Sequence, residues 1–326
     1  MKRFSVCLLI FTMIVVGCGS PSNPESKVFA TEYGLGPDKW AAAWLLSHVV
    51  DPEAELKIVQ PGASFPEGAT VFDVETAELR RKDGLSAFEV VRRQFALDDP
   101  VLTYMGEIVQ EVEVEFWKPA ELPESPLMEQ GFRSLQRTYG REGVSADCYV
   151  AFFDRVYRLL QRQEQSGESF SARDLAIDCG AVDFAVANRN RLIPEVPIDL
   201  LLREMGKGKR VVFVDVREPN EFKEGHIPGA LNVALRDVSP AIAEKIGEAD
   251  YVVSYCVKDF RGFELAKALH DAGVANSVIL DPFGIQGWVE FGLPIVGTRG
   301  LTRGDAMLQL EECLQDASAC LAAVKE

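Results

Sequence analysis

Cys256, Lys258 and Arg261 lie within one nonapeptide, Ser254-Tyr255-Cys256-Val257-Lys258-Asp259-Phe260-Arg261-Gly262, which directly follows the apolar run Tyr251-Val252-Val253. A β-branched run ends on a cysteine, a six-residue loop closes on an arginine, and an amphipathic segment follows from about Phe263 to Ala272. That order reads as strand, loop and helix N-terminus. Backbone N–H groups at a helix start have no intrahelical partner and can hold a negative charge. The same positive end lowers a cysteine pKa and favours the nucleophilic thiolate. The chemistry this spacing allows is covalent sulfur chemistry at Cys256. A lone cysteine at a strand end is also a common core residue, and this window alone leaves both readings open.

The elements around the loop must come from a chain of 326 residues, long enough for two domains. A hydrophobic fraction of 47% with 9% aromatic residues supports real cores. The formal charge of −16 argues against nucleic acid or anionic lipid as a bulk partner. An oxyanion would need a local cradle against that field. Within residues 194–298, Ile198 to Met205 reads as a helix and Arg210 to Asp215 as a buried strand. Asp215-Val216-Arg217 follows that strand. Gly225-His226-Ile227-Pro228-Gly229-Ala230 holds a Pro-Gly turn pair, and Gly284-Ile285-Gln286-Gly287-Trp288 and Gly292-Leu293-Pro294-Ile295 come after the cysteine loop.

These four ordered motifs resemble the rhodanese domain. The resemblance implies an α/β fold, a parallel sheet flanked by helices, with the site at strand C-terminal ends. It also implies that Cys256 attacks a sulfane sulfur donor such as thiosulfate or a persulfide, carries a persulfide, and passes sulfur to a thiol acceptor; the alternative is an oxyanion-binding or non-catalytic rhodanese-like interaction module. Rhodanese-like sulfurtransferases place four residues between cysteine and arginine, whereas related phosphatases place five. This chain has four, so the loop is sized for sulfur. Val257, Lys258, Asp259, Phe260, Arg261 and Gly262 form the expected anion loop, its N–H groups converging on sulfur, with Lys258 and Arg261 steadying an anionic donor. Asp215, Arg217 and His226 are expected to support it: Arg217 pairing with a carboxylate near the loop, Asp215 holding the fold, His226 as a structural hydrogen-bonder. Trp288 is expected in the core. The loop departs from the family at Asp259, often Gly, and at Gly262, often Ser. An acid beside the thiolate would raise the cysteine pKa and repel thiosulfate unless Lys258 or Arg261 neutralises it.

Residues 27–170 read as a mostly helical α+β domain. Lys27–Glu32, Glu55–Val59 and Ala69–Val74 are expected strands. Helices are expected over Pro37–Val50, Leu85–Phe95, Pro100 to about Val112, Pro126–Tyr139 and Ser145–Glu164. Asp38-Lys39, Trp44-Leu45-Leu46, Asp51-Pro52-Glu53-Ala54-Glu55, Phe72-Asp73 and Phe88 through Leu97-Asp98-Asp99-Pro100 resemble the C-terminal domain of ChrB-type chromate-resistance proteins, which implies a link to chromate or oxyanion stress. Where that family carries a cysteine, a basic pair, and further on a His and a Cys, this chain has Ala42, Ser47-His48, Arg81 and Ser86. The ligand set for a transition metal is poor, and neither a metal nor a cofactor is expected. The acidic run Glu107, Glu111, Glu113, Glu115 could hold a cation but reads first as a solvated face. Asp73 and Glu75 are a weaker carboxylate pair. Residues 171–193 form a linker that could pack on either domain.

At the N-terminus, Lys2-Arg3 precede an apolar stretch from Phe4 to Val16 that is too short to span a bilayer comfortably. It ends in Val15-Val16-Gly17-Cys18, which resembles a bacterial lipobox. That implies a signal over residues 1–17, lipidation at Cys18, a tether over 18–26, and a lipid-anchored protein of the cell envelope. The alternatives are an uncleaved anchor or an ordinary secretory signal. In the tail, 299–326, Thr302 and Asp305 can cap a C-terminal helix. Cys313 and Cys320, about 10.5 Å apart on one straight helix at ~1.5 Å per residue, exceed the ~7 Å Cα limit for a disulfide. Of Cys148, Cys179, Cys256, Cys313 and Cys320, four could pair in an oxidising compartment and leave Cys256 free.

Overall fold

The computed structural model describes residues 27–183, 185–186 and 193–315. The signal, Cys18 and the tether lie outside the described residues, as does Cys320.

The first unit is built on β1 (Val28–Glu32), flanked by β2 (Glu55–Val59) and β3 (Thr70–Val71) in a parallel three-stranded sheet. Parallel pairing needs a crossover, and α1 (Pro37–Leu45) supplies it between β1 and β2. The helical pattern expected to reach Val50 ends in a π turn over Leu46–Val50. Trp40 and Trp44 are buried, and Trp40 stacks on Tyr149 with centroids 4.6 Å apart. Helices α2 (Ala87–Gln94), α3 (Pro100–Glu113), α4 (Glu124–Tyr139) and α5 (Ala146–Ser166) complete the unit. Their starts follow local chemistry: the side chains of Ser86, Asp99 and Ser145 accept from the N–H groups of Glu89, Leu102 and Cys148. The segment after α5 packs on this unit, with Leu175 buried in the first core beside α4. A Cys148–Cys179 disulfide fastens it to α5.

The second unit is a five-stranded, all-parallel sheet in the order β4 (Glu195–Pro197), β8 (Ser277–Asp281), β7 (Tyr251–Tyr255), β5 (Val211–Asp215), β6 (Leu231–Asn232). Its flanking helices are α6 (Ile198–Gly206), α7 (Pro219–Glu224), α8 (Pro240–Gly247), α9 (Phe260–Asp271) and α10 (Gly284–Glu290), followed by α11 (Arg303–Gln315). Helix α9 begins three residues before the expected Phe263. Amphipathic spacing places the start at the first repeating apolar residue, whereas Phe260 itself is buried against Phe132 of α4, 5.5 Å between ring centroids.

The cores interlock. Phe260, Phe263 and Ala266 belong to the core of the first unit, and Phe116 of the first unit belongs to the core of the second. Burial of apolar surface in both directions, at roughly 25 cal/mol per Å², holds the first unit over the C-terminal end of β7.

Candidate functional site

Cys256 leaves the C-terminal end of β7, the middle strand of the sheet, and is 1% exposed. Two contacts shape the loop behind it. The carbonyls of Cys256 and Val257 accept from the N–H groups of Ile285 and Gln286, at 2.9 and 3.1 Å, so the start of α10 is stapled beneath the loop. Gly284 makes this possible: its φ is +62°, and a Cβ there would stand 1.8 Å from the Lys258 carbonyl oxygen. Gly262 has a similar reason, since a Cβ would meet the Tyr255 Cα at 2.9 Å. The close crossing of α9 over the strand end explains glycine at this position.

Asp215 and Arg217 form a buried unit at the end of β5. The Arg217 guanidinium reaches Asp215 Oδ1 and Oδ2 at 3.0 and 2.7 Å and the Gly225 carbonyl at 2.5 Å. The carboxylate that Arg217 pairs with is therefore its own motif partner. His226 Nδ1 is 2.8 Å from the Phe222 carbonyl, and its ring stacks on Phe222. Burial holds its pKa below the ordinary value. Trp288 is buried, donating from Nε1 to the Pro294 carbonyl at 2.8 Å.

The loop side chains correct the sequence reading. Lys258 pairs with Glu129 of α4 at 2.7 Å, and Arg261 pairs with Glu221 of α7 through two bonds at 3.0 and 3.2 Å. Neither cation faces Asp259. That carboxylate, fully buried, is held by Arg133 and Arg141 of the first unit, each at 2.5 Å. Burial opposes its ionisation, yet Arg141 and Arg133 pull its pKa below the ordinary value. Both arginines also lie over rings of the second unit: Arg133 is 3.7 Å from the Phe283 centroid and 4.6 Å from Phe260, and Arg141 is 4.4 Å from Phe263. The acid that broke the family pattern is the anchor of the first unit.

The thiol is also not the low-pKa group that a helix N-terminus suggests. Burial pushes Cys256 up to about 11; the Arg261 charge and the Gly262 N–H pull it down, while Glu113 and Asp259 push it up. In this closed arrangement desolvation outweighs the helix end. Cys256 is a free cysteine, whereas Cys148, Cys179 and Cys313 are disulfide-bonded.

Beside the loop, between the units, lies a cleft of about 170 Å³ lined in part by Lys39, Arg81, Glu113, Glu221, Arg261 and Glu264. Arg81 bridges Glu113 at 2.7 Å, Asp38 at 3.1 Å and Glu221 at 3.5 Å. Burial opposes ionisation of Glu221, but Arg261 and Arg81 hold its pKa well below the usual range. Glu113 goes the other way, raised by burial against Arg81 and Arg261. Glu264 is pushed up to about 7 by burial, opposed by Lys39. The acidic run is a solvated face only in part: Glu107 is exposed, but Glu111 and Glu113 are both buried, and Glu111 accepts from Ser125 Oγ at 2.7 Å. Asp73 pairs with Lys39 at 2.9 Å and Glu75 with Arg236 at 2.6 Å. Among the described residues, no group of three or more His, Cys, Asp or Glu is arranged to hold a metal ion.

Sequence reasoning missed Arg81, Arg133, Arg141, Glu221 and Glu264. Glu129 and Arg133 carry a faint signal, an i,i+4 pair on one face of α4. Nothing local marks Arg141.

The loop, its crossing helix and the buried Asp215–Arg217 unit define a rhodanese-like domain, and residues 198–291 belong to the rhodanese-like domain family. Residues 29–160 belong to the family of the ChrB C-terminal domain. The chain is 34% identical over 94 residues to thiosulfate:glutathione sulfurtransferase of Saccharomyces cerevisiae, covering 25% of this chain and 67% of that protein. It is 28% identical over 95 residues to protein ChrB of Cupriavidus metallidurans, covering 29% of each. An HTH-type transcriptional regulator of Mycobacterium tuberculosis, Rv0324, is 32% identical over 149 residues, covering 44% of this chain and 63% of that protein. The chain therefore spans under two thirds of the regulator and under one third of ChrB.

Proposed function

We propose that the chain is a sulfurtransferase that carries sulfane sulfur on Cys256. The observation that supports this most directly is the site itself: a free cysteine at the end of the central strand, its thiolate favoured by the Gly262 N–H, with Arg261 closing the loop after four intervening residues. The Cys256 thiolate attacks the outer sulfur of thiosulfate, forming a Cys–S–S bond as the sulfur–sulfur bond of the donor breaks and sulfite leaves with the electron pair. An acceptor thiolate then attacks the outer sulfur of the persulfide and regenerates the Cys256 thiolate. The yeast relative named for thiosulfate and glutathione supports this donor and acceptor chemistry.

The buried, protonated thiol is the resting state. Loading by the donor proceeds when the first unit lifts from the loop, which exposes the sulfur and lets water and the helix end favour the thiolate, and the first unit seats again for transfer to the acceptor. The ChrB-type domain supports a role in chromate or oxyanion stress, with that domain acting as the cover. The lipobox-like Gly17-Cys18 supports placement on a lipid anchor in the cell envelope. The test is mass spectrometry of the intact protein after exposure to thiosulfate. One added sulfur on Cys256 is expected, lost in Cys256→Ser; wild-type turnover in Cys256→Ser would eliminate the reading.

A further inference from the structure

The cleft between the units holds two polar atoms that nothing satisfies. Glu113 Oε1 is buried and accepts no hydrogen bond among the described residues, although Oε2 is bound by Arg81. Arg261 Nε is likewise buried and donates to nothing, although the rest of its guanidinium grips Glu221. An unmet acceptor or donor in the interior costs free energy, and here the two residues that carry them line the same cleft, beside the loop that carries Cys256.

The walls around these atoms favour a charge pattern. Among the described residues that line the cleft, carboxylates outnumber cations eight to four, so a bare dianion meets an unfavourable surface. Gly36 leaves space in front of Glu113, whereas the space at Gly34 is taken by the Lys39 side chain, whose Cε a Cβ there would meet at 2.7 Å. A Cβ on Gly36 would stand 3.5 Å from Glu113 Oε1, and one on Gly34 would stand 3.5 Å from Glu264 Oε1. Glu264 Oε1 is steadied by the Leu35 N–H at 2.9 Å, so both carboxylates face one glycine-flanked loop between β1 and α1. Partly desolvated carboxylates with an unused lone pair suit an ammonium donor, and an unused guanidinium N–H suits a carboxylate.

We propose that this cleft binds the amino-acid end of a small thiol acceptor, its ammonium on Glu113 and Glu264 and its carboxylate on Arg261 Nε. The assignment rests on the sulfur-transfer reading above and names its acceptor class: an α-amino-acid thiol of about cysteine size. The first unit thereby contributes half of the acceptor site, and the residue that closes the Cys256 loop contributes the other half. In the transfer step the bound thiolate attacks the outer sulfur of Cys256–S–SH. The bond between that sulfur and Sγ breaks, R–S–SH forms with the proton retained, and Cys256 leaves as thiolate. No external oxidant or reductant is needed.

The test uses the full chain with thiosulfate as donor and compares L-cysteine with 3-mercaptopropionate, which lacks the ammonium. The readout is the ratio of kcat/KM for the two acceptors in wild type divided by the same ratio in Gly36→Ala and in Glu113→Gln. Intrinsic differences between the thiols cancel in that quotient. A quotient of about ten or more is expected in both variants, because a charge-assisted contact is lost for cysteine alone. Gly36 has φ −78° and ψ 137°, open to alanine, so this variant crowds the carboxylate without removing its charge. A quotient near one in both variants overturns the proposal while leaving sulfur loading by thiosulfate intact. Calorimetry with S-methyl-L-cysteine, which cannot accept sulfur, gives an independent readout: binding to wild type, weakened in Gly36→Ala, is expected. Absence of binding to wild type overturns the site whatever becomes of Cys256 chemistry.

Discussion

Replacing Asp259 by asparagine removes one charge and keeps the shape. The carboxylate it removes is fully buried and lies 2.5 Å from both Arg133 and Arg141. Breaking one partner out of a buried ion pair costs about 3–5 kcal/mol. Arg133 retains Glu129 at 2.8 Å and Arg141 faces Glu195 at 3.8 Å, which places the expected loss near the lower end, about 3 kcal/mol. With a urea slope of ~3 kcal/mol/M, the unfolding midpoint falls by roughly 1 M. A double-mutant cycle of Asp259→Asn with Arg141→Met isolates the pair, with an expected coupling of about 0.5–3 kcal/mol. A second readout follows the thiol. With Cys256 at about 11, its thiolate fraction at pH 7.5 is ~300-fold below that of an ordinary thiol at ~8.5. Loosening the cover in Asp259→Asn is expected to speed alkylation of Cys256 by a small neutral reagent, towards that ~300-fold limit. An unchanged urea midpoint together with unchanged alkylation would refute the idea that Asp259 holds the first unit over the site. Improved sulfur transfer with undiminished stability would restore the sequence reading, in which the acid merely impairs the loop.

Three further outcomes are expected. Gly284→Ala forces a Cβ to within 1.8 Å of the Lys258 carbonyl at a φ of +62°, so the loop must shift; transfer rate and thermal midpoint should both fall, by about 2–4 kcal/mol of stability, checked by calorimetry. Burial raises Glu264 to about 7 in the fold against ~4.3 when unfolded, so the folded state binds its proton more tightly. Its contribution is fully present below pH ~4.3 and is lost as pH rises through about 7; Glu264→Gln should flatten that part of the stability–pH curve, and an unaltered curve would count against it. Cys18→Ala should move the protein from the membrane fraction to the soluble fraction, read by fractionation and by mass spectrometry of the N-terminal peptide.

The amino-acid order by itself determined the second unit and its thiol. Motifs such as Asp215-Val216-Arg217 and Cys256 to Arg261 are short and local, and the apolar runs before them encode parallel strands whose C-terminal ends must carry the loops. Periodicity also placed helices of the first unit, and α2, α3 and α5 open on their own side-chain caps at Ser86, Asp99 and Ser145. The electrostatics of the site were decided only by the tertiary structure. Asp259 looked like a defect because its neighbours in sequence are Lys258 and Arg261, yet its partners Arg133 and Arg141 are 126 and 118 residues away. Burial reversed the expected direction of the Cys256 shift, and burial depends on a second unit covering the strand end. The acidic run looked solvated because a charge pattern along a chain does not reveal that Arg81 waits opposite Glu113. Local sequence specifies which groups a loop presents, whereas charge pairing and desolvation depend on what packs against it.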